Sequence, residues 1–203
     1  MIRTFRSKAA FVLLAAASVL VLTSAAGSAA APRKDSQGSA VAPAAAPAAP
    51  TCTSFYAPNA VGQRRVITGN NPGVYTSTTF VPMACGTTIV SLPRGRRALF
   101  VTRVDGEVTC TGTAGQWCIG RVLLRGIEGQ PNAPEPDSFA WAKSNTDATD
   151  WESNSFTRTG VVGPCRTTGT SCPIVVQVQV RNHADSLSFR VDDSTVDVDV
   201  TYF

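Results

Sequence analysis

A two-residue rhythm of apolar side chains over 173–203 constrains the fold more than any other feature of this sequence. Ile174, Val176, Val178 and Val180 fall on one parity, while Val175, Gln177, Gln179 and Arg181 fall on the other. Successive side chains of a strand point to opposite faces, so this is the pattern of a half-buried strand. After the polar turn Asn182-His183-Ala184-Asp185 the alternation resumes with Leu187, Phe189 and Val191. After Asp192-Asp193-Ser194 it resumes again with Val196, Val198, Val200 and Tyr202. Paired as a meander, these strands set Val180 opposite Leu187 and Val191 opposite Val196. The same register sets Phe189 against Val198 and Leu187 against Val200, with Arg190 facing Asp197 on the outer surface. A slip by one residue would expose the whole apolar set. The pattern dictates an architecture and carries no chemistry.

Upstream, 64–68, 74–80, 87–92, 98–104, 117–124, 139–143 and 156–162 are rich in Val, Thr, Phe and Ile. Gly, Pro and Asn separate them, notably in Asn70-Asn71-Pro72-Gly73 and Pro93-Arg94-Gly95. No stretch keeps a 3.6-residue period long enough for a helix. About ten short strands with regular turns predict an all-β antiparallel β-sandwich, jelly-roll-like, with a closed antiparallel β-barrel as the alternative. A lipid-facing barrel is excluded for the last strand, because Asp197 and Asp199 share the face of Phe203.

The front of the chain reads as an address and a spacer. Residues 1–31 carry Arg3, Arg6 and Lys8, the apolar run Phe11 to Leu22, and then small residues, as a secretory signal peptide does. The apolar run is 12 residues long, short of the roughly 20 that span a bilayer. Residues 32–50, rich in Ala and Pro, bury too little to offset their ordering entropy and are expected to be a disordered spacer. The domain is therefore 51–203, secreted and extracellular, with no stable membrane insertion.

Six Cys and one His in an exported chain point to disulfides rather than a metal site. Cys110 and Cys118 bracket one Gly/Thr-rich loop, and Cys165 and Cys172 bracket another. Pairing within each leaves Cys52 with Cys85. Closing a loop of about 15 residues stabilises by about 3 kcal/mol, and shorter ones by somewhat less. The net charge of +4 is mostly the signal's, since from Thr51 onward 13 Lys/Arg face 13 Asp/Glu. A neutral domain gives no general reason to bind nucleic acid.

The run Arg97-Ala-Leu-Phe-Val-Thr-Arg103, with Cys110…Gln116-Trp-Cys118-Ile-Gly-Arg121, Trp151-Glu-Ser153, Val176-Gln-Val-Gln179 and Phe189-Arg-Val-Asp-Asp193, resembles a diffuse group of uncharacterised secreted bacterial β-sandwich domains. In that group an aromatic commonly follows the paired Asp, where Ser194 stands here. The resemblance implies a sandwich and export, and assigns no activity.

Chemistry is sparse. His183, with Asp185 and Ser186, sits in one turn, whereas a catalytic triad converges from separate segments. Glu107, Glu128, Glu135 and Glu152 could supply a hydrolytic carboxylate pair, but sequence pairs none of them. The stretch 145–154 is the most suggestive. Asp147, Asp150 and Glu152 offer hard oxygen ligands that calcium uses, although Asp150 stands where an EF-hand needs Gly. Trp151 lies among them, a large apolar ring in a polar loop. Trp141 reads as core and Trp117 as packing on its neighbouring disulfide. Arg94, Arg96 and Arg97 form a basic turn, read as a solvated strand start with an acidic polymer as the other possibility. The expected function is a non-catalytic binding module for a glycan or another envelope component, with no cofactor unless calcium binds. Trp151 would stack on the sugar, and Asp150, Glu152 and Asn154 would bond its hydroxyls. A structural or protein-interaction domain is the alternative, and an extracellular hydrolase the distant one.

Overall fold

Ten strands form where β-branched and aromatic residues alternate with polar ones, and the inward-facing sets divide between two sheets. The structure, a computed structural model, describes residues 49–70, 73–125 and 138–203. The expected signal peptide and nearly all of the spacer lie outside the described residues. The strands are β1 (Thr51–Asn59), β2 (Gly62–Asn70), β3 (Gly73–Tyr75), β4 (Val81–Pro93), β5 (Ala98–Thr111), β6 (Trp117–Arg125), β7 (Phe139–Lys143), β8 (Glu152–Val162), β9 (Ser171–Asn182) and β10 (Ser188–Tyr202).

One sheet runs β1-β2-β10-β5-β8, with short β3 also beside β10. The other runs β4-β9-β6-β7, and every pairing is antiparallel. From β4 onward each connection crosses to the opposite sheet, except that from β6 to β7. That is the strand order of a jelly-roll sandwich, with open edges at β1, β8, β4 and β7 and no closed barrel.

The meander is corrected. The inward faces are as the alternation demands, with Ile174, Val176, Val178, Val180, Leu187, Phe189, Val191, Val196, Val198 and Val200 all buried. The pairing is not, because β9 and β10 lie in different sheets. Asp192-Asp193-Ser194 is not a turn but a β-bulge within one long strand. Asp192 pairs with Glu107 and Thr195 with Asp105, so β10 carries one residue more than β5 across that step. Asp193 takes φ 41° there. One inserted residue moves the inward set from odd to even positions, as a turn would also allow. Arg190 consequently lies opposite Thr109, and Asp197 finds other partners. The Arg64 guanidinium donates to both Asp197 oxygens at 2.9 and 2.6 Å, and Arg103 donates to Asp199 at 3.0 Å. These pairs lie across β2, β10 and β5 on the outer face.

Between the sheets, Trp141 stands edge-on to Phe156 and Phe189, with ring centroids 5.0 and 5.6 Å apart. Asn182, expected in a turn, is instead fully buried at the end of β9. Its amide donates to the carbonyls of Leu187 at 2.6 Å and Tyr75 at 3.2 Å. Arg158 is the one arginine on the inward face of β8, its guanidinium 3.9 Å from the centre of the Phe139 ring. The three disulfides are Cys52–Cys85, Cys110–Cys118 and Cys165–Cys172, as the spacing predicts. The first ties β1 to an irregular stretch of β4, and the second joins β5 and β6 across the two sheets. No helix among the described residues is long and apolar enough to cross a membrane.

Candidate functional site

Three loops build one end of the sandwich: 112–116, 144–151 and 183–187. Polar side chains set in the loops hold them to each other. Ser144 donates its hydroxyl to the Thr113 carbonyl at 2.6 Å and accepts from the Gln116 N–H at 2.8 Å. The Asn145 N–H donates to the Cys110 carbonyl, and the Gly112 N–H to the Asn145 carbonyl, both at 3.0 Å. Gly112 has φ 136°, and a Cβ there would run into the Ser186 carbonyl, so the approach of 183–187 requires glycine. His183 completes the set. Its N–H donates to the Trp117 carbonyl at 2.9 Å, and its Nδ1 lies 2.6 Å from Gln116 Oε1.

His183 is exposed and partnered with Gln116, and the Ser186 hydroxyl lies 3.2 Å from that of Thr113. No contact links His183, Asp185 and Ser186 into a relay. Among the carboxylates weighed for hydrolysis, Glu128 and Glu135 lie outside the described residues. Glu107 and Glu152 sit on opposite faces of the sheet, by the alternation of β5 and β8 about the pairs Glu107–Ser153 and Val108–Glu152.

The 145–154 stretch forms a self-bonded loop. The Asp147 N–H donates to Asn145 Oδ1 at 3.0 Å, and the Asn145 amide donates to Asp150 Oδ2 at 2.6 Å. Asp147 Oδ1 accepts from both the N–H and the hydroxyl of Thr149 at 2.8 Å. Those two bonds hold the Asp147 carboxyl below the usual aspartate range. Glu152 Oε2 accepts from the Asn154 amide at 2.9 Å. Asp147, Asp150 and Glu152, the expected calcium ligands, thus serve three separate partners. Among the described residues no group of three or more His, Cys, Asp or Glu is placed to hold a metal.

Asn154, expected at the ligand, also serves as a tie. Its amide also donates to the Trp141 carbonyl at 3.0 Å, while the Trp141 indole N–H donates to the Asn154 carbonyl at 3.2 Å. It fastens the edge strand β8 to the edge strand β7 of the other sheet. Trp151, by contrast, keeps 36% of its surface exposed, flanked by exposed Asp150 and Glu152. Trp117, expected to pack on its disulfide, stands 41% exposed at the start of β6, opposite Lys143. Two indole rings therefore border the same loop end. Its charged residues are Lys143, Asp147, Asp150, Glu152 and Asp185, an acidic balance. Beyond Trp151, a groove of ≈ 380 Å³ follows β8 and β5 to the bulge of β10, lined by Asp105, Glu107, Ser153, Asn154, Ser155 and Asp193.

The second surface of note is β1. It is exposed at nearly every position, with Phe55 at 59% and Tyr56 at 47%, and among the described residues no strand pairs with its outer edge. A groove of ≈ 280 Å³ opens between its start and β4, lined in part by Phe55, Arg65 and Ile67.

Comparison with protein-family models, with curated proteins and with solved structures returns no match.

Proposed function

We propose that the protein is a secreted, extracellular, non-catalytic binding module whose ligand is a glycan or another component of the cell envelope. The observation that carries this reading is the part-exposed Trp151 ring between exposed Asp150 and Glu152. An indole face stacks on the apolar C–H face of a pyranose, and adjoining carboxylates accept hydrogen bonds from its hydroxyls. Trp117 supplies a second ring at the same end, and the groove beyond Trp151 offers polar groups to further sugar units. The cross-bonded loops hold these groups before any ligand arrives, which lowers the ordering cost of binding. The three disulfides suit an oxidising compartment.

A glycan array probed with wild type and Trp151→Ala tests the reading. The variant is expected to lose binding while its melting temperature stays within a few degrees of wild type. Retained binding by Trp151→Ala would remove this residue as the platform.

A protein-interaction domain is the second reading, and β1 favours it. An exposed edge strand carrying two part-exposed aromatic rings is a template for strand addition by a partner. Folded wild type that binds no glycan on the array would bring this reading forward, and capture of envelope proteins lost on Ser54→Pro would then support it.

A further inference from the structure

The end of the sandwich opposite Trp151 gathers arginines from two segments that lie far apart in sequence. The turn 94–97 joins β4 to β5, and the loop 163–170 joins β8 to β9. Main-chain bonds lock them together. The Arg94 N–H donates to the Thr170 carbonyl at 2.9 Å, the Gly95 N–H to the Cys165 carbonyl at 2.9 Å, and the Cys165 N–H to the Arg96 carbonyl at 3.0 Å. Cys165–Cys172 closes the second loop, and Arg97 exchanges two 2.9 Å backbone bonds with Phe203. Gly95, at φ 77°, makes the turn and has nothing within 4 Å of where a Cβ would stand, so the tip is open to an incoming molecule.

On this platform Arg94, Arg96, Arg97 and Arg166 are all exposed. Among the described residues none of the four is ion-paired, since the salt bridges use Arg64 and Arg103 with Asp197 and Asp199. Charges held within about 8 Å of each other in physiological salt still interact. Guanidiniums carried on two loops locked to each other repel where they approach, and a bound polyanion relieves that repulsion. Each guanidinium fork matches a sulfate, phosphate or carboxylate with two parallel hydrogen bonds. A polymer of repeated charges engages several forks at once. The two loops hold no Trp, Tyr or Phe; Phe203 beside them has the Arg97 guanidinium 5.4 Å from its ring centre, one platform rather than the run of rings on which successive nucleic-acid bases stack.

We propose that this end binds an anionic polysaccharide, at a surface separate from the Trp151 loops. Titration of the full chain with heparin, against uncharged dextran and oligothymidylate, tests it. Heparin is expected to bind with an affinity that falls as salt rises, dextran not to bind, and oligothymidylate to bind more weakly. Arg94→Ser with Arg96→Ser should weaken heparin binding about tenfold, the loss of two contacts of modest net strength. Lys143→Ser with Arg190→Ser removes the same charge away from these two loops and should change it little. Should the first pair disturb folding, Arg166→Ser on the other loop carries the same expectation at smaller size. Equal weakening by the two charge-matched pairs would reduce the effect to net charge and overturn the proposal. Absence of heparin binding, or tighter binding of oligothymidylate, would overturn it as well.

Discussion

β10 and β1 belong to one sheet and are held in place by different physics. β10 has a neighbour on each side and turns Phe189, Val196, Val198 and Val200 into the core, each all but free of solvent. Among the described residues β1 has a neighbour on one side only and is wet on both faces. Its attachments are the ladder to β2, the Cys52–Cys85 bridge, the hydroxyl pair Thr53–Thr68, and the Arg65 guanidinium 3.7 Å from the centre of the Tyr56 ring. Burial holds the first strand; covalent and local polar contacts hold the second. The same backbone ladder serves both, so the ladder alone does not decide how firmly a strand is held.

The strongest way to break this contrast is a charge in β10. Val198→Asp buries an unpaired carboxylate, and a cost above about 4 kcal/mol is expected, a large part of the total stability of an ordinary domain. Thr201→Asp, on the exposed face of the same strand, should cost about 1 kcal/mol or less. Thermal melts of the two variants check this, and equal melting temperatures would reverse the assignment of faces. Next in size is removal of the clasp on β1. Cys52→Ser with Cys85→Ser opens a bridge between residues 33 apart, a class of change that costs about 2–4 kcal/mol. Here the loss should concentrate on β1, whose amides would exchange with solvent long before those of β10. Uniform loss of protection across the sheet would show that β1 is as integral as β10. The smallest effect belongs to Phe55→Ser. A ring already mostly in water gives up little, and a change within about 0.5 kcal/mol is expected by denaturant titration.

These differences also mark what the sequence made legible. Every inward face of β9 and β10 was readable, because one side of each strand meets water and the other does not. The partner strands were not. A polar break followed by a change of parity describes a hairpin turn and a one-residue bulge equally well, and Asp192-Asp193-Ser194 has the composition of a turn. β1 gave no signal at all, since a strand wet on both faces has no reason to alternate. Arg158 broke the apolar pattern of β8 at an inward position, its guanidinium lying over an aromatic ring. At the Trp151 end the composition of 145–154 pointed to a polar loop, and the loop is there. Its carboxylates fan out to Thr149, Asn145 and Asn154 because each has a closer local donor than a shared centre would provide. The meeting of Arg166 with the 94–97 turn depends on backbone bonds between segments about 70 residues apart, a long-range closure that local patterning does not encode.

The place of β10 in its sheet bears on the order in which the domain can be assembled. β2 and β5 are not neighbours; β10 lies between them, and it follows both in chain order. Without β10, the pairs β1–β2 and β5–β8 would be separate ribbons, each with an unpaired edge facing the gap. The inner faces of both ribbons then lack the Phe189, Val196, Val198 and Val200 that cover them. Strand topologies with such distant partners fold slowly and leave adhesive edges open while they wait. Vectorial synthesis therefore completes this sheet only once β10 is made; that 15-residue strand joins two otherwise separate ribbons into one layer.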